Sequence, residues 1–186
     1  MSGITPSQTV GPYFGIMLSG RNACRQLSQG TTGTRVVIEG RLFDGRGNVI
    51  PDALVEIWQA DAHGHYSHPE DPACADADRH FNGYGWAHTA GDGGYRFETI
   101  KPGRVGAPDG GLQAPHILVS VMARGILARF VTRLYFGDEP SNAEDATLAL
   151  VPEQRRATLI ARCADDRRYT FDIVMQGTGE TVFFDV

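Results

Sequence analysis

The chain has 186 residues, with 17 Lys and Arg against 22 Asp and Glu, which gives a net charge of −5 at pH 7. This acidic balance argues against binding to nucleic acid or to an anionic membrane surface. No apolar stretch approaches the about 20 residues that a transmembrane helix needs, and the opening MSGITPSQTV lacks the basic and then apolar pattern of a signal peptide. Three widely spaced cysteines without a C-x-x-C pair are typical of a reducing compartment, so we expect a cytoplasmic protein without membrane contact.

Residues 1–20 predict an N-terminal arm rather than a packed element. Within it, SQTVGPYF sets Gly11 beside Pro12, with hydroxyl groups nearby on Thr9 and Tyr13. This pattern indicates either a plain turn or an arm that reaches the cleft of a partner. In the second case the glycine would permit a close approach of its backbone.

Beyond the arm, β-forming residues recur in short runs that are separated by Gly, Pro and Asp turns. Several runs alternate between the two faces of a strand, as ALVEIWQA does, which is typical of a half-buried strand. The predicted strands lie at 36–44, 53–60, 93–100, 116–123, 126–136, 158–177 (two strands) and 180–186. Helical signals are confined to 141–146 and 152–157. The chain therefore predicts a mainly β fold, a β-sandwich with long loops and a few short helices, in which residues 1–186 form a single domain.

The stretch from Ala60 to Ala90 is long and polar, and it carries five of the six histidines. Long loops of this kind often carry function. HGHYSH brings His63, His65 and His68 close together in sequence, and imidazole is a common metal ligand. The segment is Gly-rich and offers no cysteine or carboxylate cage, so a solvated loop is favoured over a metal site.

APHILVSV opens a predicted strand on His116, and Leu118 faces the same way because strand side chains alternate. Two histidines there would form a pair of metal ligands, whereas a lone histidine in an apolar strand is usually a hydrogen-bonded core residue. Arg124 follows the strand and precedes Gly125. It is either a surface charge or an anchor for an anion, since its planar guanidinium suits a carboxylate. The residues alone indicate no self-contained catalytic centre.

Several stretches together resemble the intradiol ring-cleavage dioxygenases. They are DALVEIWQADAHGHY, GDGGYRFETIKPG, APHI and TRLYFGDEP, with TPSQTVGPYF near one end and GTGETVFFDV at the other. The resemblance implies a β-sandwich core and an enzyme that uses O₂ to cleave a small aromatic diol. In the family's catalytic chains, Fe(III) is held by two tyrosines and two histidines.

This sequence departs from the family pattern at the ligand positions. His116 stands at the first histidine position and Leu118 at the second, while Val105 stands where a tyrosine follows the K-P-G-P motif. Gln113 replaces the arginine before the histidine pair, and the loop that supplies the other tyrosine has none at the corresponding place. One neutral imidazole cannot replace a site with two anionic oxygens, so we predict that this chain binds no iron itself.

The resemblance implies a division of roles between two chains. An α-type chain such as this one pairs with a homologous β chain that binds Fe(III), and the αβ pairs form a higher oligomer. The arm then lines the substrate pocket with Thr9, Gly11, Pro12 and Tyr13, and Arg124 binds the substrate carboxylate. Two alternatives are a stand-alone transthyretin-like module that binds an aromatic acid and, with less support, a self-sufficient hydrolase or metalloenzyme that uses the loop histidines.

Overall fold

The structure, a computed structural model, describes residues 6, 8–11, 13, 16, 23, 24, 27–107, 110–165 and 167–185. Most of its regular structure is β. The strands are β1 Arg35–Phe43, β2 Leu54–Trp58, β3 Tyr84–His88, β4 Gly94–Ile100, β5 Val105–Gly106, β6 Leu112–Gln113, β7 His116–Met122, β8 Phe130–Phe136, β9 Ile160–Asp165, β10 Arg168–Thr170 and β11 Ile173–Val174. The helices are α1 Ala146–Leu150 and α2 Glu153–Arg156, with 3₁₀ turns at Cys74–Asp76, Pro140–Glu144 and Ala157–Leu159.

Nine strands form one mixed sheet in the order β11-β1-β10-β9-β8-β7-β2-β3, with β4 added to β1. β5 and β6 form a separate two-stranded ribbon. β1 pairs antiparallel with β4, and it pairs in parallel with β10 and then with β11. Gly40 lies at this crowded junction, where a Cβ atom would collide with the carbonyl oxygen of Phe171. Only glycine lets the two backbones approach this closely.

The core lies between the two halves of the sheet, which face each other. Ile38 of β1 and Phe97 of β4 come from one half, and Val55 of β2 and Val119 of β7 from the other. All four belong to one cluster and are at most 2% exposed. Because strand side chains alternate, the longer strands send every second residue into this cluster, as β7 does with Ile117, Val119 and Val121. The mainly β architecture predicted from the sequence is therefore confirmed.

Two predicted strands are wrong in their extent. The run at 126–136 is a strand only from Phe130, because Ala123 accepts a hydrogen bond from Ile126 N and Gly125 adopts a φ of 90°, which turns the chain first. The run at 180–186 is no strand in the part of the chain described. It makes a single bridge between Phe184 and Val131.

The predicted loop at 60–90 ends earlier than expected, because its last residues form β3. Gly85 and Ala87 point inward from β3 and are buried, while the large side chains of the strand face outward. The helix predicted at 141–146 is mostly a 3₁₀ turn, and the one at 152–157 contains α2. No helix among the described residues is long and apolar enough to span a bilayer.

Candidate functional site

Arg124 lies in the turn between β7 and β8, on the surface. Its Nη2 atom is 2.7 Å from Oδ2 of Asp52, which belongs to the turn before β2. The Arg124 side chain remains 62% exposed in this ion pair. The guanidinium is therefore held at one end while much of it stays open to solvent.

The N-terminal arm meets the same turn. Gly125 N donates a hydrogen bond of 2.8 Å to Oγ1 of Thr9, which joins residues 116 positions apart in the sequence. Two residues singled out separately from the sequence, Thr9 and Arg124, thus lie beside one another. The motif MARG at residues 122–125 does not predict this contact, because the contact depends on the path of the arm.

Two other arm residues that the sequence singled out, Gly11 and Tyr13, are exposed to solvent. A Cβ atom added to Gly11 would meet nothing within 4 Å, so its backbone makes no close approach inside this chain. The Tyr13 side chain is 76% exposed. Pro12 lies outside the described residues. Gly11 and Tyr13 are thus exposed parts of the arm, and Thr9 is the residue that lies next to Arg124.

His116 occupies a buried position at the start of β7. Its Nδ1 atom lies 2.8 Å from Ala114 O, and its ring packs against that of Tyr135, with centroids 5.8 Å apart. Burial lowers the pKa of His116 to about 4, and the nearby charge of Arg133 acts in the same direction. The imidazole is therefore neutral near pH 7 and is held as a core side chain.

Arg133, on β8, is the charged group that sequence reasoning missed here. It stands opposite Leu118 in the β7–β8 register, and its Nη1 atom donates to Oε1 of Gln113 at 2.6 Å and to the hydroxyl of Tyr135 at 3.3 Å. Burial raises the pKa of Tyr135 to about 12, so its phenol stays protonated. Only the pairing of β7 with β8, which the sequence does not reveal, brings Arg133 to this place.

An open cavity of about 660 Å³ lies close by, lined in part by Trp58, Tyr66, His68 and Val105. The rings of Trp58 and Tyr66 stack at a centroid distance of 5.7 Å, and His68 meets Trp58 edge-on. Burial also raises the pKa of Tyr66, although the Arg133 charge opposes that rise. The cavity walls are thus mainly aromatic and apolar, with a protonated phenol.

The comparisons with known proteins agree with this architecture. The profile of the family described as Dioxygenase matches residues 10–177. The protocatechuate 3,4-dioxygenase alpha chain of Burkholderia cepacia is 45% identical over 98% of this chain and 97% of its own length. The chain belongs to the intradiol ring-cleavage dioxygenase family.

This intradiol chain is also similar to a beta chain and to a solved dioxygenase domain. The protocatechuate 3,4-dioxygenase beta chain of Burkholderia cepacia is 37% identical over 80% of this chain and 67% of its own length. A solved dioxygenase domain, from a carbohydrate-binding fusion protein of Streptomyces sp. SirexAA-E, superimposes with a TM-score of 0.62 at 28% identity. It covers 94% of this chain and 99% of that domain. The predicted intradiol-type β fold is confirmed.

The side chains at and beside the positions that the resemblance assigns to the iron ligands do not fit Fe(III) in this intradiol chain. Leu118 and Val105 carry no donor atom, and Gln113 is engaged by Arg133. His116 offers one neutral imidazole, and a guanidinium stands next to it. Fe(III) prefers anionic oxygen and imidazole donors together, which this set does not supply. We call these four positions, His116, Leu118, Val105 and Gln113, the vestigial centre.

The histidine loop is organised by hydrogen bonds to a buried carboxylate. Asp61 is 2% exposed, and its Oδ1 atom accepts from the backbone N–H groups of His63 and His65, while Oδ2 accepts from Asp78 N. Across the described residues, no group of three or more His, Cys, Asp or Glu side chains is placed to hold a metal. Asp61, which sequence reasoning did not single out, thus fixes the loop through backbone contacts.

Proposed function

We propose that this chain is the non-iron-binding alpha subunit of protocatechuate 3,4-dioxygenase. The assembled αβ enzyme would cleave protocatechuate with O₂ to 3-carboxy-cis,cis-muconate. The observation that carries the proposal is the contrast between two sites of one chain. The vestigial centre keeps one imidazole and lacks the other iron donors, whereas Arg124 and Thr9 form an exposed site suited to a substrate that a partner holds from the other side.

The partner would be a homologous beta chain that binds Fe(III). That ion would supply the activation of the bound diol toward O₂, whose two atoms enter across the bond between the hydroxyl-bearing carbons. This chain would contribute the Arg124 guanidinium, which pairs with the ring carboxylate away from the reacting carbons. Binding energy gained there holds the ring in place for the reaction.

The arm would complete the pocket. Gly11 and Tyr13 are exposed in this chain, so both are available to another chain, and Pro12 would join them in the pocket. The hydrogen bond between Thr9 and Gly125 keeps the arm next to Arg124. Residues 1–186 would form a single domain, with 1–20 as the arm.

The relatives favour this subunit over a stand-alone transthyretin-like module, since full-length similarity is to an alpha chain whose enzyme also has a beta chain. We further propose a higher αβ oligomer and a location in the cytoplasm. The three cysteines, Cys24, Cys74 and Cys163, are all free, which suits a reducing compartment. If the lone chain were stable as a monomer and bound aromatic acids, this result would contradict the proposal that it is a subunit.

The carboxylate role is tested with Arg124→Ala in the assembled αβ enzyme. A charge-assisted contact of this kind contributes about 1.5–3 kcal/mol, so KM for protocatechuate should rise about 10- to 150-fold. KM for catechol, which has no carboxylate, should stay within about twofold.

The matched control for this test is Arg41→Ala. Arg41 is also an exposed arginine paired with an aspartate, since its Nη2 atom is 3.6 Å from Asp92 Oδ2. This variant should leave both KM values unchanged. If Arg124→Ala raised KM for protocatechuate and for catechol equally, Arg124 would not bind the substrate carboxylate.

A further inference from the structure

Asp52, in the turn between β1 and β2, has an unusual backbone. Its φ of 55° is the only positive value of a non-glycine residue in the described part of the chain. The left-handed region is unfavourable for most side chains, although Asp and Asn tolerate it better than others. Such a conformation persists only where the surrounding structure enforces it.

Thr89 fixes this turn from the neighbouring strand connection. Asp52 N donates to Thr89 O at 3.2 Å, and the next amide, Ala53 N, donates to Thr89 Oγ1 at 2.9 Å. The Thr89 hydroxyl in turn donates to Ile50 O at 2.8 Å. Since Thr89 is only 5% exposed, the turn is anchored to the core rather than free on the surface.

The anchored turn aims the Asp52 carboxylate at Arg124. The 2.7 Å contact joins Oδ2 to Nη2, across 72 positions of sequence. An exposed ion pair of this kind contributes little to the stability of the fold. The gain in stability therefore does not explain why Asp52 is held in a left-handed backbone conformation to make it. Among the described residues, this is the one hydrogen bond that the Arg124 side chain makes.

The contact leaves most of the guanidinium available. An arginine carries five N–H donors in a rigid fork, and Asp52 engages one end of it. A free arginine loses much rotamer freedom when it binds an anion, whereas one already held loses less. The Asp52 carboxylate is half-exposed, so solvent and salt screen its charge from distant groups. The Arg124 guanidinium is the charged group that it contacts.

We propose that Asp52 is a positioning residue for Arg124, holding one end of the guanidinium so that the other end faces the carboxylate of the aromatic substrate. This inference rests on the proposed function of Arg124. Asp52 touches no substrate itself. Its contribution is a fixed direction for the arginine, built from a core-anchored turn with a left-handed residue at its tip.

The test uses Asp52→Asn and Asp52→Gly in the assembled αβ enzyme. Asn and Gly both accept a positive φ, so each variant keeps the turn while removing the negative charge. KM for protocatechuate should rise about three- to tenfold, with kcat within about twofold and KM for catechol unchanged. Asp92→Asn, which removes the charge from the pair with Arg41, is the control and should change neither KM.

A double-mutant cycle separates positioning from a general structural effect. In the Arg124→Ala background, Asp52→Asn should cause no further rise in KM, since no guanidinium remains to be held. An additive effect in that background would overturn the positioning role. A lower KM for protocatechuate in Asp52→Asn would also overturn it, because Asp52 would then compete with the substrate.

The roles of Asp52 and Arg124 are distinguished by their separate variants. If Arg124→Ala weakens protocatechuate selectively while Asp52→Asn has no effect, the Asp52 role is wrong and the proposed function stands. If Arg124→Ala affects protocatechuate and catechol equally, the carboxylate role of Arg124 fails, and the Asp52 role fails with it.

Discussion

His116 couples the folding of this chain to pH. Burial holds its pKa at about 4 in the folded protein, against 6.5 for an ordinary histidine. Between those values the unfolded chain binds a proton that the folded chain does not. The free energy of unfolding should therefore fall as pH drops from about 6.5 to 4, by about 3 kcal/mol from this group.

Denaturant unfolding at pH 7.0 and pH 4.5 measures this loss, and His116→Leu should shrink it. The matched control is Leu118→Ala on the same strand, which removes apolar packing but no titratable group and should keep the pH dependence of the natural chain. If His116→Leu retained the full dependence, another group would be responsible for it.

Single residues were partly predictable from the sequence. The apolar strand that follows His116 correctly indicates that this lone histidine is a buried, hydrogen-bonded residue. The contacts of Arg124 with Asp52, and of Gly125 with Thr9, could not be foreseen, since they join positions 72 and 116 residues apart. Spacing along one strand says which side chains share a face, but not which loops meet at its end.

At the level of elements, Asp145 connects β8, the segment that leads into β7, and a helix. It is 1% exposed and caps α1, where its Oδ1 atom accepts from Leu148 N at 2.7 Å and from the hydroxyl of Tyr135 at 3.0 Å. Its Oδ2 atom accepts from Ala114 N, next to β7, at 2.8 Å. One carboxylate thus satisfies three buried donors from three places in the fold.

Asp145→Ala should lower the free energy of unfolding by about 3–5 kcal/mol, because it leaves buried donors without acceptors. Tyr135→Phe, which removes only one of these contacts, should cost about 1–2 kcal/mol. Urea unfolding of both variants provides the comparison. Equal losses would mean that the cap and the Ala114 contact contribute nothing.

The strand boundaries could be predicted from the sequence in some places and not in others. β2 and β4 alternate clearly and were predicted nearly to their ends. β3 was missed because its inward residues, Gly85 and Ala87, are small and its outward ones are large. The run at 180–186 has the composition of a strand but finds only one bridging partner, since pairing depends on neighbours rather than on composition.

At the scale of the whole molecule, the proposed division of roles predicts where iron resides. The chain purified alone should carry less than about 0.1 iron per chain, because the vestigial centre lacks the anionic donors that Fe(III) needs. It should also lack tyrosinate-to-iron absorption. The αβ complex should contain about one iron per pair and show that absorption.

Elemental analysis and visible spectroscopy of the two preparations make this comparison. Replacing His63, His65 and His68 together should leave the iron content of both unchanged. Stoichiometric iron in the lone chain, lost with those three histidines, would instead support the metalloenzyme alternative.

The pairing of β1 with β10 and β11 has a kinetic consequence. Val37 is matched with Arg168 and Phe43 with Val174, so an early strand is completed only by strands made more than a hundred residues later. Contacts this distant in sequence slow folding, and a ribosome-bound chain must wait for them. Until β10 and β11 emerge, β1 has one open edge, the kind of surface on which unfinished chains associate with one another.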